Sequence, residues 1–119
     1  MLKLEDIKVY QLAMEYAEEI WHIVMRWEIF PKIHLGGQMV EAADSIGFNI
    51  SEGYGRFHYK ENKQFCYYAR GSLLECKTGL VKANRRKLIS EAEHKILFEK
   101  LEILHHRLNA YIKSIGHTK

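Results

Sequence analysis

The sequence predicts an all-α protein, an up-down-up-down antiparallel four-helix bundle in one domain spanning residues 1–119. Three observations lead there. Proline occurs once, at Pro31, and no stretch alternates apolar and polar residues for long. Four segments carry apolar residues every three or four positions, the spacing of a helix face. The connections between them are short, which favours antiparallel neighbours.

The first helix is expected from about Asp6 to Phe30. Val9, Ala13, Tyr16, Ile20, Ile23 and Trp27 make one stripe, and Ile7, Tyr10, Met14, Ala17, Trp21 and Val24 make a second. Together they form an apolar arc wider than the three positions in seven that a core-facing bundle helix needs. Large exposed aromatic patches are uncommon on monomers. Tyr10, Met14, Trp21 and Val24 are therefore candidate subunit-interface residues. Phe30-Pro31 is expected to end this helix, with Lys32 to Gly37 as a connection.

The second helix is expected over Gln38 to Arg56. Met39, Ala43, Ile46, Ile50 and Gly53 form its apolar seam, and Gln38, Glu41, Ser45, Asn49, Glu52 and Arg56 a polar stripe beside it. Ala42, Ala43, Ser45 and Gly47 lack bulk, so another helix can come close. Gly55 is placed to be a left-handed stop, and Arg56 follows Glu52 at the favourable spacing for a helical ion pair.

The third helix is expected from about Tyr59 to Lys87, with Phe65, Ala69, Ser72, Cys76, Leu80 and Ala83 as its seam. Gly71 and Gly79 each cost about 1 kcal/mol of helix propensity relative to alanine, which close packing would justify. A hairpin turning near Phe57 brings Arg70 level with Asp44, so a bidentate Arg70–Asp44 pair is expected. Ser90 with Glu93 reads as a capping box opening the fourth helix. Leu97, Leu101, Leu104, Leu108, Tyr111 and Ile115 then form a seam that Gly116 ends.

Composition narrows the functional classes. Hydrophobic residues make up 47% of the chain, which is ordinary for a globular protein. No run of about 18 apolar residues suggests a membrane span. The acid-containing start MLKLEDIKVYQL lacks the pattern of a secretory signal, and the cytoplasm is the expected location. Cys66 and Cys76 lie about 15 Å apart along one helix, too far for a disulfide, and read as core residues. The seven histidines contain no His-x-x-x-His pair, so no metal site is expected, and no cofactor. Gly53-Tyr54-Gly55 follows a helix and lacks the Lys-Ser/Thr ending of a phosphate loop. Ser51 and Ser72 have no acid-base partner pattern, and no enzyme activity is expected.

Net charge is only +3, but it is segregated. Residues 1–30 carry six acids against three bases, and residues 59–88 carry eight bases against two acids. Arg56, Lys60 and Lys63 cluster at one end of the third helix, with Phe57 and Tyr59 interleaved. Lys82, Arg85, Arg86 and Lys87 cluster at the other. Cations interleaved with aromatics suit single-stranded nucleic acid, where bases stack and phosphates pair. These seven residues are the candidate nucleic-acid contacts.

The segments QMVEAADSIGFNISEGYGR and KENKQFCYYARGSLLECKTGL, with DIKVYQLAME near the start, resemble the bacterial four-helix-bundle proteins named for intervening sequences of 23S ribosomal RNA. The resemblance covers nearly the whole chain. Its most specific part is Asn49-Ile50-x-Glu52-Gly53-Tyr54-Gly55-Arg56, followed by Ala69-Arg70-Gly71-Ser72 and Glu75. It implies a compact bundle that assembles into a ring, typically a homopentamer, with no known catalytic activity. It also implies similarity to the accessory variability determinant of diversity-generating retroelements, a basic pentameric barrel that binds nucleic acid and a reverse transcriptase.

Two departures stand out. Val40 and Glu41 occupy positions where the family often has two arginines, which reduces the basic surface. Gly47 stands where it often has proline, so a straighter second helix is expected. The expected function is thus a non-enzymatic homo-oligomeric module for RNA, DNA or a nucleic-acid enzyme, with no membrane partner. The alternative is a structural or protein-interaction scaffold without nucleic-acid affinity.

Overall fold

The structure, a computed structural model, describes residues 2–117. A 3-10 turn at Leu4–Asp6 leads into α1, Lys8–Met25. A helical turn at Ile29–Pro31 and a π-helical turn at Lys32–Gly36 run without a break into α2, Gly37–Tyr54. α3 is Tyr59–Arg85 and α4 is Glu91–Ser114. The packed pairs are α1–α2, α2–α3, α3–α4 and α4–α1, the order of an up-down-up-down bundle. α1 and α3 therefore stand at diagonal corners.

The expected helices form, with one displaced boundary. α1 ends at Met25, and Pro31 lies inside the next helical segment rather than ending the first. Glu28 is extended (φ −65°, ψ 161°) and caps that segment, which makes Pro31 its third residue. The missing N–H of proline there falls among first-turn donors that have no intrahelical partner, so it costs nothing. Lys32 to Gly36 is helical for the same reason: the proline begins a helix and leaves no loop to follow.

Gly55 is not the left-handed stop expected of it. Its φ is −78°, and α2 ends through bonds from Gly55 N to the Ser51 carbonyl (3.1 Å) and from Arg56 N to the Gly53 carbonyl (3.0 Å). The left-handed residue between helices is Lys87, at φ 59°. There Leu88 N donates to the Ala83 carbonyl (2.9 Å) and Lys87 N to the Asn84 carbonyl (3.1 Å), the paired bonds of a Schellman stop. The Ser90–Glu93 capping box is formed in both directions, each bond 3.0 Å. Gly116, at φ 88°, ends α4.

Core residues come from the expected seams. Tyr16 and Ile20 of α1, Ile46 and Ile50 of α2, Leu73 and Leu80 of α3, and Leu101, Leu104 and Leu108 of α4 are almost wholly buried. Cys66 and Cys76 are free and buried among them. α2 and α3 meet through small residues: Ala42 and Gly53 on one, Ala69, Ser72 and Gly79 on the other, all buried. A Cβ on Gly53 would lie 2.8 Å from the Asn62 carbonyl oxygen and 2.6 Å from its side-chain oxygen. A Cβ on Gly79 would lie 2.8 Å from Met39 Cγ.

Gly71 departs from expectation. It is exposed, and a Cβ there would meet nothing within 4 Å. Close packing inside the bundle does not explain it. The expected outcome of Gly71→Ala is stabilisation by up to about 1 kcal/mol from helix propensity alone. Gly53→Ala is expected to destabilise by about 1–3 kcal/mol, because backbone must move. Chemical denaturation of the two variants tests both signs.

Candidate nucleic-acid interface

The distribution of charge over the four helices defines the surface. α1 and α2 together carry Glu15, Glu18, Glu19, Glu41, Asp44 and Glu52 against Lys8 alone among Lys and Arg. α3 carries Lys60, Lys63, Arg70, Lys77, Lys82 and Arg85 against Glu61 and Glu75. Because α1 and α3 are diagonal, this is a division between opposite sides of the molecule.

The seven candidate contacts fall into two groups at opposite ends of α3. Lys60 and Lys82 are 22 residues apart, or about 33 Å along the helix. Arg56 Nη2 donates to Glu52 Oε2 at 2.7 Å, the expected ion pair, and its guanidinium lies 4.7 Å from the Phe65 ring centroid. That pair is exposed, so it contributes a few tenths of a kcal/mol at most. Lys60 is exposed and Lys63 half-buried, while Lys82, Arg85, Arg86 and Lys87 are all exposed. Phe57 and Tyr59 stand exposed beside the first group.

Periodicity joins the two groups along the α4 flank of α3. Lys63, Arg70 and Lys77 recur every seven residues, a cation about every 10.5 Å. Tyr67, Leu74 and Val81 form a parallel exposed stripe. Sequence reasoning placed Arg70 elsewhere and gave Lys77 no role. The signal it lacked was the heptad spacing of the three cations.

Arg70 does not pair with Asp44. Its Nη1 donates to Asn109 Oδ1 of α4 at 2.8 Å, and its guanidinium lies 5.0 Å from the Tyr67 ring centroid. Asp44 is level with Arg70 along the bundle but faces α1, where it lines a cleft with Glu18, Met14 and Phe48. Partial desolvation, with Glu18 nearby, raises its carboxyl above the ordinary value. Of the remaining motif residues, Asn49 Nδ2 donates to the Ser45 carbonyl at 2.9 Å within α2.

The four candidate interface residues separate. Val24 belongs to the core, packed under the π-helical turn, where a Cβ on Gly36 would meet its Cγ1 at 2.4 Å. It cannot face a partner. Tyr10 is half-buried. Met14 and Trp21 are exposed (46% and 48%), and Phe48 of α2 joins them at 71%. The broad apolar arc of α1 thus splits into a core half and an outward half.

Nothing in the arrangement offers acid-base or metal chemistry. Glu19/His22, Glu91/His94 and Glu102/His105 have Glu-x-x-His spacing. Even so, no group of three His, Cys, Asp or Glu side chains capable of holding a metal occurs among the described residues. Burial pushes the Cys66 thiol up to about 11 and the Cys76 thiol up to about 12, so neither is a thiolate near neutral pH. Burial also raises the Tyr16 hydroxyl. Among the described residues no helix is long and apolar enough to cross a membrane.

Residues 5–110 match the profile of a family described as 23S rRNA-intervening sequence protein. A search of curated proteins gives no match.

The geometry of Asp44 has a measurable consequence. Its folded pKa lies above the unfolded value, so the ionised carboxylate opposes folding at neutral pH. That penalty is relieved as pH falls through the folded pKa. Asp44→Asn is expected to raise the denaturation midpoint slightly at pH 7, by a few tenths of a kcal/mol at this exposure. The gain should shrink as pH falls through the carboxyl range. A buried pair with Arg70 would give a large loss instead.

Proposed function

Because the chain belongs to the 23S rRNA-intervening sequence protein family, we propose that it is a non-enzymatic, self-associating module that binds RNA through α3. The observation that carries this reading is the segregation of charge: six cations on α3, and six carboxylates on α1 and α2. A net charge of +3 would not attract RNA strongly if it were spread evenly. Concentrated on one helix, the cations supply the phosphate contacts from which most sequence-independent affinity comes. Exposed Phe57, Tyr59 and Tyr67 add faces on which unpaired bases can stack, which favours single strands over duplex.

Self-association rests on a second set of features. Met14, Trp21 and Phe48 form an outward apolar patch that includes the carboxylates Glu18 and Asp44. Around the corner, α3 presents Tyr67, Gly71, Leu74 and Val81 beside a groove lined by Met39, Ala42 and Thr78, with Lys82 at its edge. The two surfaces differ in shape and charge, so they suit head-to-tail contacts that close a ring. Gly71, which has no packing role inside its own bundle, gains one if a second copy seats there. A ring of five is the size we propose. The basic α4 flank of α3 stays outside this contact.

A second reading, a scaffold without nucleic-acid affinity, has one specific feature in its favour. Glu41 stands on the exposed outer face of α2 with the other carboxylates, where a more basic surface would serve RNA better.

Two outcomes are expected. Labelled single-stranded RNA, followed by fluorescence anisotropy at two salt concentrations, binds with a steep salt dependence and more tightly than duplex DNA. Neutralising Arg85, Arg86 and Lys87 together weakens it by about tenfold or more and lowers the salt slope by about three phosphate contacts. No binding at low salt leaves the scaffold reading. Independently, Trp21→Asp converts the assembly to monomers by light scattering. An unchanged mass removes α1 from the interface.

A further inference from the structure

Midway along α3, on the flank that faces α4, four half-buried polar side chains meet: Arg70 and Lys77 from α3, His105 and Asn109 from α4. Arg70 Nη1 donates to Asn109 Oδ1 at 2.8 Å. Lys77 Nζ lies 3.1 Å from Glu102 Oε1 and 3.1 Å from His105 Nδ1. Arg70 is close enough to His105 to affect its titration, so the four groups are contiguous.

The donors and acceptors here are unevenly matched. An ammonium group can only donate, so His105 Nδ1 must accept from Lys77. Its ring proton then sits on Nε2 and remains available. A guanidinium can also only donate, so Asn109 turns Oδ1 to Arg70 and leaves its NH2 group free. Both neutral members are thereby fixed as outward donors. Against two cations and two such donors, the cluster holds a single carboxylate, Glu102, which serves Lys77 alone. Arg70 has a neutral partner and no carboxylate among the described salt bridges.

We infer that Arg70, Lys77, His105 and Asn109 form a site for a phosphate group, which places a backbone contact of the bound RNA at the waist of α3. The inference rests on the RNA-binding reading above and names the contact that connects the two ends of the helix. Planar Arg70 offers the paired N–H groups that fit phosphate oxygens, and Lys77 adds a point charge. Tyr67, stacked on Arg70, holds the guanidinium in place and leaves its ring edge exposed for an unpaired base. Lys63, one heptad before Arg70, continues the line. Burial lowers the His105 pKa, and Lys77 and Arg70 lower it further, which keeps the ring in the neutral donor form near pH 7.

Asn109→Asp tests the site with little change in volume. The new carboxylate pairs with Arg70, so the denaturation midpoint is expected to hold or rise. It also occupies the phosphate position, so affinity for single-stranded RNA is expected to fall about tenfold. Gln11→Glu adds the same charge on α1, across the bundle, and is expected to change affinity by less than about twofold. Lys77→Gln is expected to lower the salt slope by about one phosphate contact. Equal affinity of Asn109→Asp and the unaltered protein overturns the site while leaving RNA binding in place. Equal losses for Asn109→Asp and Gln11→Glu reveal a general charge effect and also overturn it. An unaltered protein that binds no RNA overturns the site and the reading beneath it.

Discussion

The close approach of α2 and α3 is the constraint on which the rest of the molecule depends. At Gly53 the backbone of one helix nearly touches the Asn62 carbonyl of the other, leaving no room for a methyl group. At Gly79 the space is taken by Met39. Two helices this close behave as one thick element, and α1 and α4 pack against its two sides. The gain is dispersion contact between backbones, which small residues permit and large ones prevent. The cost is two mid-helix glycines, about 1 kcal/mol each in propensity. Because α2 is fixed so tightly, the direction of every outward residue on α3 is fixed with it.

That geometry turns a modest net charge into a directional field. α1 lies diagonally across from α3, so the acidic residues of the first helix cannot neutralise the cations of the third within one chain. Internal ion pairs join α4 to its neighbours: Lys77 to Glu102, Lys100 to Glu19, and Arg26 to Glu93. The carboxylates of the α1–α2 cleft and most of the α3 cations are left to act on whatever approaches from outside. A phosphate backbone and a second copy of the chain then occupy different flanks of α3 without competing.

Much of the fold could be read from the sequence because period and caps are local signals. The seams of α2, α3 and α4, the capping box at Ser90 and the stop at Gly116 all lie where residue type alone places them. The misplaced features need information from outside a short window. Pro31 both ends and begins helices, and only the capping geometry of Glu28 decides which. Val24 and Trp21 look alike in a stripe, and only the π-helical turn, which covers one and leaves the other bare, tells them apart. Asp44 and Arg70 are level but face different neighbours, a rotation that counting residues from a hairpin turn does not give.

The exposed half of α1 sharpens the argument for association. Trp21 and Phe48 together expose far more apolar surface than a charged helix face usually does, and full burial of a side chain of that class is worth about 1.5–3 kcal/mol. Removing that surface from water would also desolvate Glu18 and Asp44, which are already close enough for Asp44 to be raised. A purely apolar partner would make that worse, and an acidic one worse still. The partner must therefore bring cations along with apolar surface, and α3 of another copy carries both. The same requirement explains why the patch remains outward on a chain whose core is otherwise complete.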